Sequence, residues 1–296
     1  MIYEDKYIKS EGYRICFTTF YKNEEVKEKE KNKPCIIFLP GTMSNPFTYW
    51  DFIEEMVKYE VVVVGIHFIG HGKSSREKVD FNIDNLKQNV RDVTKYIREN
   101  LKDFGNKIIL FGHSQGGILA SSLIGEDLGV DTYILGNLII SDQKSLKNII
   151  GLKNVPNIFV PIIKVFIKIY GKLFRYKQVK FYDYVKNADK EEILKDEEKY
   201  KYDPLRINSY PMSMVTSLIT IDTKNLTKPK NKIKENIIVI LAKDDPIFPL
   251  YLEKEAFDLI NAKNKKMLIY DSPHHMMYTE HPKDLAKLIY ENINKL

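Results

Sequence analysis

Ile108-Ile109-Leu110-Phe111-Gly112-His113-Ser114-Gln115-Gly116-Gly117-Ile118-Leu119-Ala120 is the stretch whose reading decides the fold. Its four leading apolar residues read as a buried strand. Gly-x-Ser-x-Gly follows at once, and then come small and apolar residues suited to a helix. A serine at so sharp a strand-to-helix turn is held in a strained backbone conformation, and only glycine-sized neighbours at 112 and 116 let the chain pass so closely. Its hydroxyl then stands proud of the sheet, and the Gln115 N–H at the helix start faces any oxyanion forming beside it. The same letters also fit an ordinary glycine-rich turn, so the context decides.

Working outward, the context is an alternation of strands and helices. Residues 2–9 and 13–21 alternate in polarity around Glu11-Gly12 and read as an antiparallel hairpin. Residues 22–33 form a solvated connection without a motif. Cys35–Leu39 and Val61–Ile66 read as buried strands, with a helix over Tyr49–Lys58 between them. A long amphipathic helix is expected over Ile83–Leu101, with Leu86, Val90, Val93 and Ile97 on one face. After Ser114 come a strand near Tyr133–Ile140, a strand over Ile237–Leu241, a helix over Leu250–Ile260, a strand over Lys266–Tyr270 and a helix over Pro282–Asn294. This pattern predicts a mostly parallel central sheet flanked by helices, with an active site beyond the carboxyl ends of its strands. The expected division is a core of residues 1–141 and 231–296, with 142–230 inserted as a helical cap.

Composition narrows the classes. The chain has 296 residues, 44% of them hydrophobic and 29% charged, which fits one large α/β domain with an insertion. Cys16 and Cys35 lack metal-ligand or redox spacing and favour a reducing compartment. The N-terminus carries acids and no signal-peptide core, and no uncharged apolar run of about 18 residues occurs. A cytoplasmic location follows as the expectation. The net charge of +6 is local: residues 144–180 hold nine Lys/Arg and no acid, leaving the remainder near −3. That argues against general nucleic-acid binding, which also wants aromatic platforms or a reading helix. Nothing in the sequence sets an oligomeric state.

A serine hydroxyl needs a base to take its proton, and the base needs an acid to hold its tautomer. Two aspartates, Asp244 and Asp245, follow the strand over 237–241. Three of the six histidines, His274, His275 and His281, sit in or beside the loop after the last strand. A metal site made of those three would still want a carboxylate ligand and suitable spacing.

On these residues the chain resembles the α/β-hydrolases, and among them the monoacylglycerol lipase and lysophospholipase-like serine hydrolases. Gly112-His113-Ser114-Gln115-Gly116-Gly117 resembles their nucleophile elbow, and Gly70-His71-Gly72-Lys73-Ser74 their Gly-His-Gly-x-Ser loop. Their Gly-x-x-Asp-x-x-x-Pro motif falls on Ala242–Pro249, and their His-x-x-x-x-Glu-x-Pro motif on His275, Glu280 and Pro282. The resemblance therefore implies Ser114 as nucleophile, His275 as base and Asp245 as acid. It places the oxyanion hole at the N–H groups of Gln115 and Thr42, in Pro40-Gly41-Thr42, and puts His113 and Met276 beside the substrate, against the alternatives of a hydrogen-bonded structural role for His113 and a packing role for Met276. No metal or organic cofactor is implied. Pro40 replaces the family's histidine, Ala242 its glycine and His67 its frequent aspartate, so the oxyanion loop is expected to be shaped differently. The implied activity is hydrolysis of an apolar ester, with thioesterase, acyltransferase and aminopeptidase chemistry open on the same residues. An aminopeptidase would want a cap carboxylate, for which Glu191, Glu192 and Asp203 are the candidates.

Within the expected cap, Pro161–Arg175 read as a helix sets Lys164, Lys168, Lys172 and Arg175 on one narrow stripe and leaves the rest apolar. Two arrangements fit. In the favoured one, a lid buries its wide apolar face over the pocket and leaves its lysines in water. In the other, the helix rests on anionic lipid at the membrane periphery. Asp189–Lys201 reads as a charged, solvated helix, and Tyr202-Asp203-Pro204-Leu205 resembles a late cap motif of lipase-like members.

Overall fold

Turn chemistry and apolar runs build the sheet from its N-terminal edge. A computed structural model describes residues 1–25, 33–76, 80–100, 104, 107–138, 154–180, 203–228 and 232–293. β1 (Ile2–Ser10) and β2 (Tyr13–Tyr21) pair antiparallel, Ser10 opposite Tyr13, around Glu11 and Gly12. Both turn residues have positive φ, the backbone of a tight hairpin. The chain then runs through β3 (Pro34–Leu39), α1 (Trp50–Lys58), β4 (Val62–His67), α2 (Ile83–Glu99), β5 (Lys107–His113), α3 (Gln115–Ser121) and β6 (Thr132–Gly136). Next come α4 (Val160–Leu173), β7 (Gln178–Val179), β8 (Tyr210–Pro211), α5 (Met212–Ile219) and α6 (Lys224–Thr227). It closes with β9 (Asn236–Ala242), α7 (Leu250–Asp258), β10 (Lys265–Tyr270), α8 (Met277–Glu280) and α9 (Pro282–Ile293).

Eight strands form one sheet in the order β1-β2-β4-β3-β5-β6-β9-β10, while β7 and β8 make a separate ribbon. Within the eight-stranded sheet, the pairings of β4-β3-β5-β6-β9-β10 are all parallel and β1–β2 and β2–β4 are antiparallel; the β7–β8 ribbon is antiparallel too. The central strands are apolar along their whole length because helices cover both faces. On one face α2 buries Leu86, Val90, Val93 and Ile97 against Ile37, Val64 and Leu110. On the other, Phe52 of α1 and Leu285 and Ile289 of α9 close over Phe38, Phe111 and Ile240. Asn82 starts α2: its side chain accepts the N–H groups of Asp84 and Asn85, and the Asn85 side chain accepts the Asn82 N–H in return.

Three differences from the sequence reading bear on the site and its surroundings. The helix expected from Tyr49 begins earlier, as a 3₁₀ turn over Pro46–Tyr49 capped by Asn45, because a proline suits a first helical turn. β6 stops at Gly136 instead of running to Ile140. Asn137 turns at φ 142 and the Leu138 N–H leaves the ladder for the Glu253 carboxylate, while residues 139–140 lie outside the described ones. The third concerns α4. The arrangement that buried its apolar face over the site is overturned, since that face points outward. Packing explains the inversion. A Cβ on Gly171 would overlap Thr216 of α5, so α4 lies against α5 on its glycine side.

β6 and β9 are neighbours in the sheet, so residues 137–235 form an excursion between adjacent strands. All of 142–153 and all of 189–201, where the charged helix was expected, lie outside the described residues. Among the described residues, no helix is long and apolar enough to cross a membrane.

Candidate active site

Ser114 occupies the turn between β5 and α3 with φ 54 and ψ −121, a conformation side chains rarely adopt. The turn has no room for larger neighbours: a Cβ on Gly112 would overlap the Gly116 carbonyl, and one on Gly116 the Leu39 carbonyl. The Ser114 N–H is shared between the Gly136 carbonyl at 3.2 Å and the Asn137 Oδ1 at 3.1 Å.

His275, between β10 and α8, places Nε2 2.9 Å from Ser114 Oγ and Nδ1 2.8 Å from Asp245 Oδ2. Since the carboxylate can only accept, Nδ1 carries the proton and Nε2 is left to accept from the serine. Asp245, after β9, is buried, and its Oδ1 accepts the N–H groups of Ile247 at 2.7 Å and Phe248 at 2.8 Å. Burial, the largest influence, pushes its pKa up. The facing His275 and the two backbone donors outweigh it and hold the carboxyl below its ordinary value. Asp244 and His274 stay outside this relay. Asp244 is exposed and its N–H donates to the Ser272 carbonyl, while His274 Nε2 faces Glu280 at 3.3 Å.

His113 and Tyr49 support the relay from behind. His113 Nε2–H donates to the His275 carbonyl at 3.1 Å, and Nδ1 accepts the Tyr49 hydroxyl at 2.8 Å. Tyr49 in turn accepts the Gly41 N–H at 3.1 Å. Burial pushes the His113 pKa down to about 3, so the ring stays neutral. Fully buried with both nitrogens bonded, His113 has none left for a ligand, which corrects its expected place beside the substrate. Met276 is half-buried next to the relay, against the core under α1 and α9.

The loop carrying Thr42 lies close: a Cβ on Gly41 would stand 3.3 Å from Ser114 Cβ. Without the family's histidine, other groups shape it. Tyr49 holds Gly41, the Ser44 hydroxyl donates to the Gly41 carbonyl at 2.8 Å, and Tyr210 Oη accepts the Met43 N–H at 2.8 Å. Tyr210 Oη also lies 2.8 Å from His71 Nε2 and 3.0 Å from Gln115 Oε1. His71 Nδ1–H donates to the Ile69 carbonyl, and burial lowers its pKa to about 4. The neutral ring therefore presents Nε2 to the phenol proton. Among the described residues, no hydrogen bond engages the backbone N–H of Thr42 or of Gln115.

Behind Asp245, Glu253 of α7 is buried. Its Oε1 accepts the Leu138 N–H at 2.9 Å, with Asn137 Nδ2 at 3.5 Å, and its Oε2 has no partner among the described residues. Asn137 Nδ2 also lies 3.4 Å from Asp245 Oδ2. Burial, helped by Asp245, pushes the Glu253 pKa well above its ordinary value. Tyr49, Tyr210, Asn137 and Glu253 were not found from sequence, because each acts through a contact that no local motif encodes.

The described residues bring three potential metal ligands, Asp5, Cys16 and His67, within 4.8 Å of one another. Their donors are already engaged. His67 Nδ1 accepts the Lys73 N–H, and Nε2 is bonded to the Thr18 hydroxyl, which donates to Asp5. The Lys73 ammonium holds the other Asp5 oxygen at 2.6 Å, and burial pushes the Cys16 thiol up to about 12. This network is what His67 makes where the family often has an aspartate. The histidines of the last loop do not converge on a metal site: His275 is in the relay and His281 packs on Tyr270.

Residues 30–282 match the model of a family described as serine aminopeptidase, S33. No curated protein matches the chain. Among solved structures it is similar to a monoacylglycerol lipase of Paleococcus ferrophilus, at TM-score 0.67 and 17% identity over 94% of this chain and 97% of that one. A soluble variant of monoglyceride lipase from Saccharomyces cerevisiae, solved with a substrate analogue, aligns at TM-score 0.71 and 13% identity over 100% and 96%. A carboxyl esterase from Bacillus coagulans aligns at 0.70 and 14% over 98% and 99%. These likenesses show the α/β-hydrolase fold.

Proposed function

The chain belongs to the serine aminopeptidase S33 family of α/β-hydrolases, and on that premise we propose that it is a serine hydrolase of carboxylic esters working through an acyl-enzyme. The observation that carries this reading is the relay from Ser114 Oγ through His275 to Asp245, with both hydrogen bonds below 3 Å. Ser114 Oγ attacks the ester carbonyl carbon while its proton passes to His275 Nε2. The developing oxyanion lies against the unengaged N–H groups of Gln115 and Thr42, and Asp245 stabilises the imidazolium. His275 then protonates the departing alcohol, leaving the acyl group on Ser114. Water attacks next, giving its proton to His275, and the carboxylic acid leaves. No step calls on a metal or an organic cofactor.

The substrate class we propose is an apolar acyl ester of the monoacylglycerol or lysophospholipid kind, roofed by residues 142–230. Tyr210 supports such a roof, since it reaches from that segment to the Thr42 loop. Aminopeptidase action is less well supported. The Asp203 carboxylate accepts the Leu205 N–H at 2.8 Å and lies 3.4 Å from Asn45 Nδ2, while Glu191 and Glu192 lie outside the described residues.

The test is hydrolysis of p-nitrophenyl esters from acetate to palmitate by wild type, Ser114→Ala and His275→Ala. Wild type turns over with an optimum at longer chains, and each variant loses about 10⁵–10⁶-fold in kcat. Folded wild type that neither hydrolyses any ester nor labels at Ser114 with a fluorophosphonate would make the chain a binding protein on a hydrolase fold.

A further inference from the structure

Among the described residues, α4 carries more exposed large apolar side chains than any other element. Ile162, Val165, Phe166, Ile169 and Leu173 follow the spacing of one helical face, and each is between 50% and 72% exposed. Ile158 before the helix, 76% exposed, and Tyr176 after it, 68% exposed, extend the stripe. The opposite side holds the helix in place through buried Val160 and Gly171. The helix is thus amphipathic in the reverse sense, with its grease facing out. Monomeric proteins in water rarely keep so continuous an apolar patch.

The charge beside the stripe says what covers it. Lys168 and Lys172 are exposed along one flank, and neither forms an ion pair among the described residues. Arg175 follows at the helix end, with its guanidinium on Asp80. No acid occurs anywhere from 144 to 180. A second copy of this chain would bring the same cations against these, whereas an anionic phospholipid surface offers phosphates at headgroup depth and acyl chains below. Lysines flanking an apolar stripe suit that layering, with stems along the grease and ammonium groups in the headgroups. At 14 residues the helix is about 21 Å long, too short and too one-sided to span a bilayer but well matched to lying in its surface.

We propose that α4 is a docking face for anionic phospholipid membranes. Its apolar stripe enters the acyl boundary, and Lys168 and Lys172 read the headgroup charge. The docking is independent of the ester chemistry, so it is measured on full-length Ser114→Ala, which binds without turnover. Co-sedimentation uses vesicles of phosphatidylcholine mixed with phosphatidylglycerol, beside vesicles of phosphatidylcholine alone. The background protein sediments with the anionic vesicles and is released as salt rises.

Lys168→Glu/Lys172→Glu weakens that binding by at least about 10-fold, since each lysine near an anionic surface is worth roughly fivefold. Ile162→Ser/Phe166→Ser/Leu173→Ser abolishes it, and because all three side chains are exposed, its circular dichroism and Tm match those of the background. Three results overturn the proposal: no binding to anionic vesicles, binding that the triple serine variant keeps, or equal binding to phosphatidylcholine alone. A fourth is a dimer in sedimentation velocity that the triple variant dissociates, which would make a second copy the occupant.

Discussion

Glu253 carries an uncompensated polar atom beside the relay, and its protonation state has a consequence for stability. A charged carboxylate there would place a second negative charge near Asp245 in a buried site, with Tyr278 the other titratable group facing it. Burial raises its folded pKa above the unfolded value, so the folded chain holds this proton more tightly. The stabilisation is fully present below the unfolded pKa, near 4.5. It is lost as pH rises toward the folded value. Glu253→Gln keeps an oxygen for the Leu138 N–H and has no charge to bury. We expect it to match wild type in thermal stability at pH 4 and to exceed it at pH 8 by on the order of 1 kcal/mol. A variant equally or less stable at pH 8 would show that the carboxylate is accommodated charged.

Among elements, the loop after β3 is shaped from a distance. Tyr210 arrives 167 residues after Met43, accepts its N–H and meets His71 and Gln115. Tyr210→Phe leaves the ring but strips those partners of their common oxygen. The Met43 N–H is then buried without an acceptor, at a cost of about 1–3 kcal/mol in stability. Because the same loop carries Thr42, we expect kcat toward p-nitrophenyl esters to fall about 10-fold or more with KM little changed. An unchanged kcat would mean that the loop holds its shape without the tyrosine. The contrast with β5 explains what could be read from sequence. The runs at 35–39, 108–111 and 237–241 announce buried strands by composition alone, and the motifs that carry the family resemblance single out Ser114, Asp245 and His275 in the turns after such strands. Tyr49, Asn137, Tyr210 and Glu253 act at long range through single polar atoms, which leave no periodicity. The outward face of α4 was legible as amphipathic, but its direction was set by Gly171 meeting Thr216 in another helix.

At the scale of the molecule, the excursion between β6 and β9 is fastened to the sheet at several places. The Arg76 guanidinium donates to the Pro204 and Arg206 carbonyls, and the Ser217 hydroxyl accepts the Ile83 N–H at the start of α2. Asn225 Nδ2 donates to the carbonyls of Ser121 and Ile124, capping the helix that follows Ser114. Its buried side chains Tyr210, Met214, Val215 and Leu218 belong to the same apolar cluster as Ile37 and Leu110 of the sheet. An independently folding unit needs a core of its own, and here the described part of the excursion borrows the core of the sheet. Loss of either then exposes the other. Differential scanning calorimetry of the full chain should therefore give one endotherm, with calorimetric and van't Hoff enthalpies equal. Tyr210→Phe should move that single peak downward without splitting it. Two resolved transitions, the lower one alone shifted by the substitution, would instead mark residues 142–230 as a separately melting cap and make its opening independent of the fold beneath.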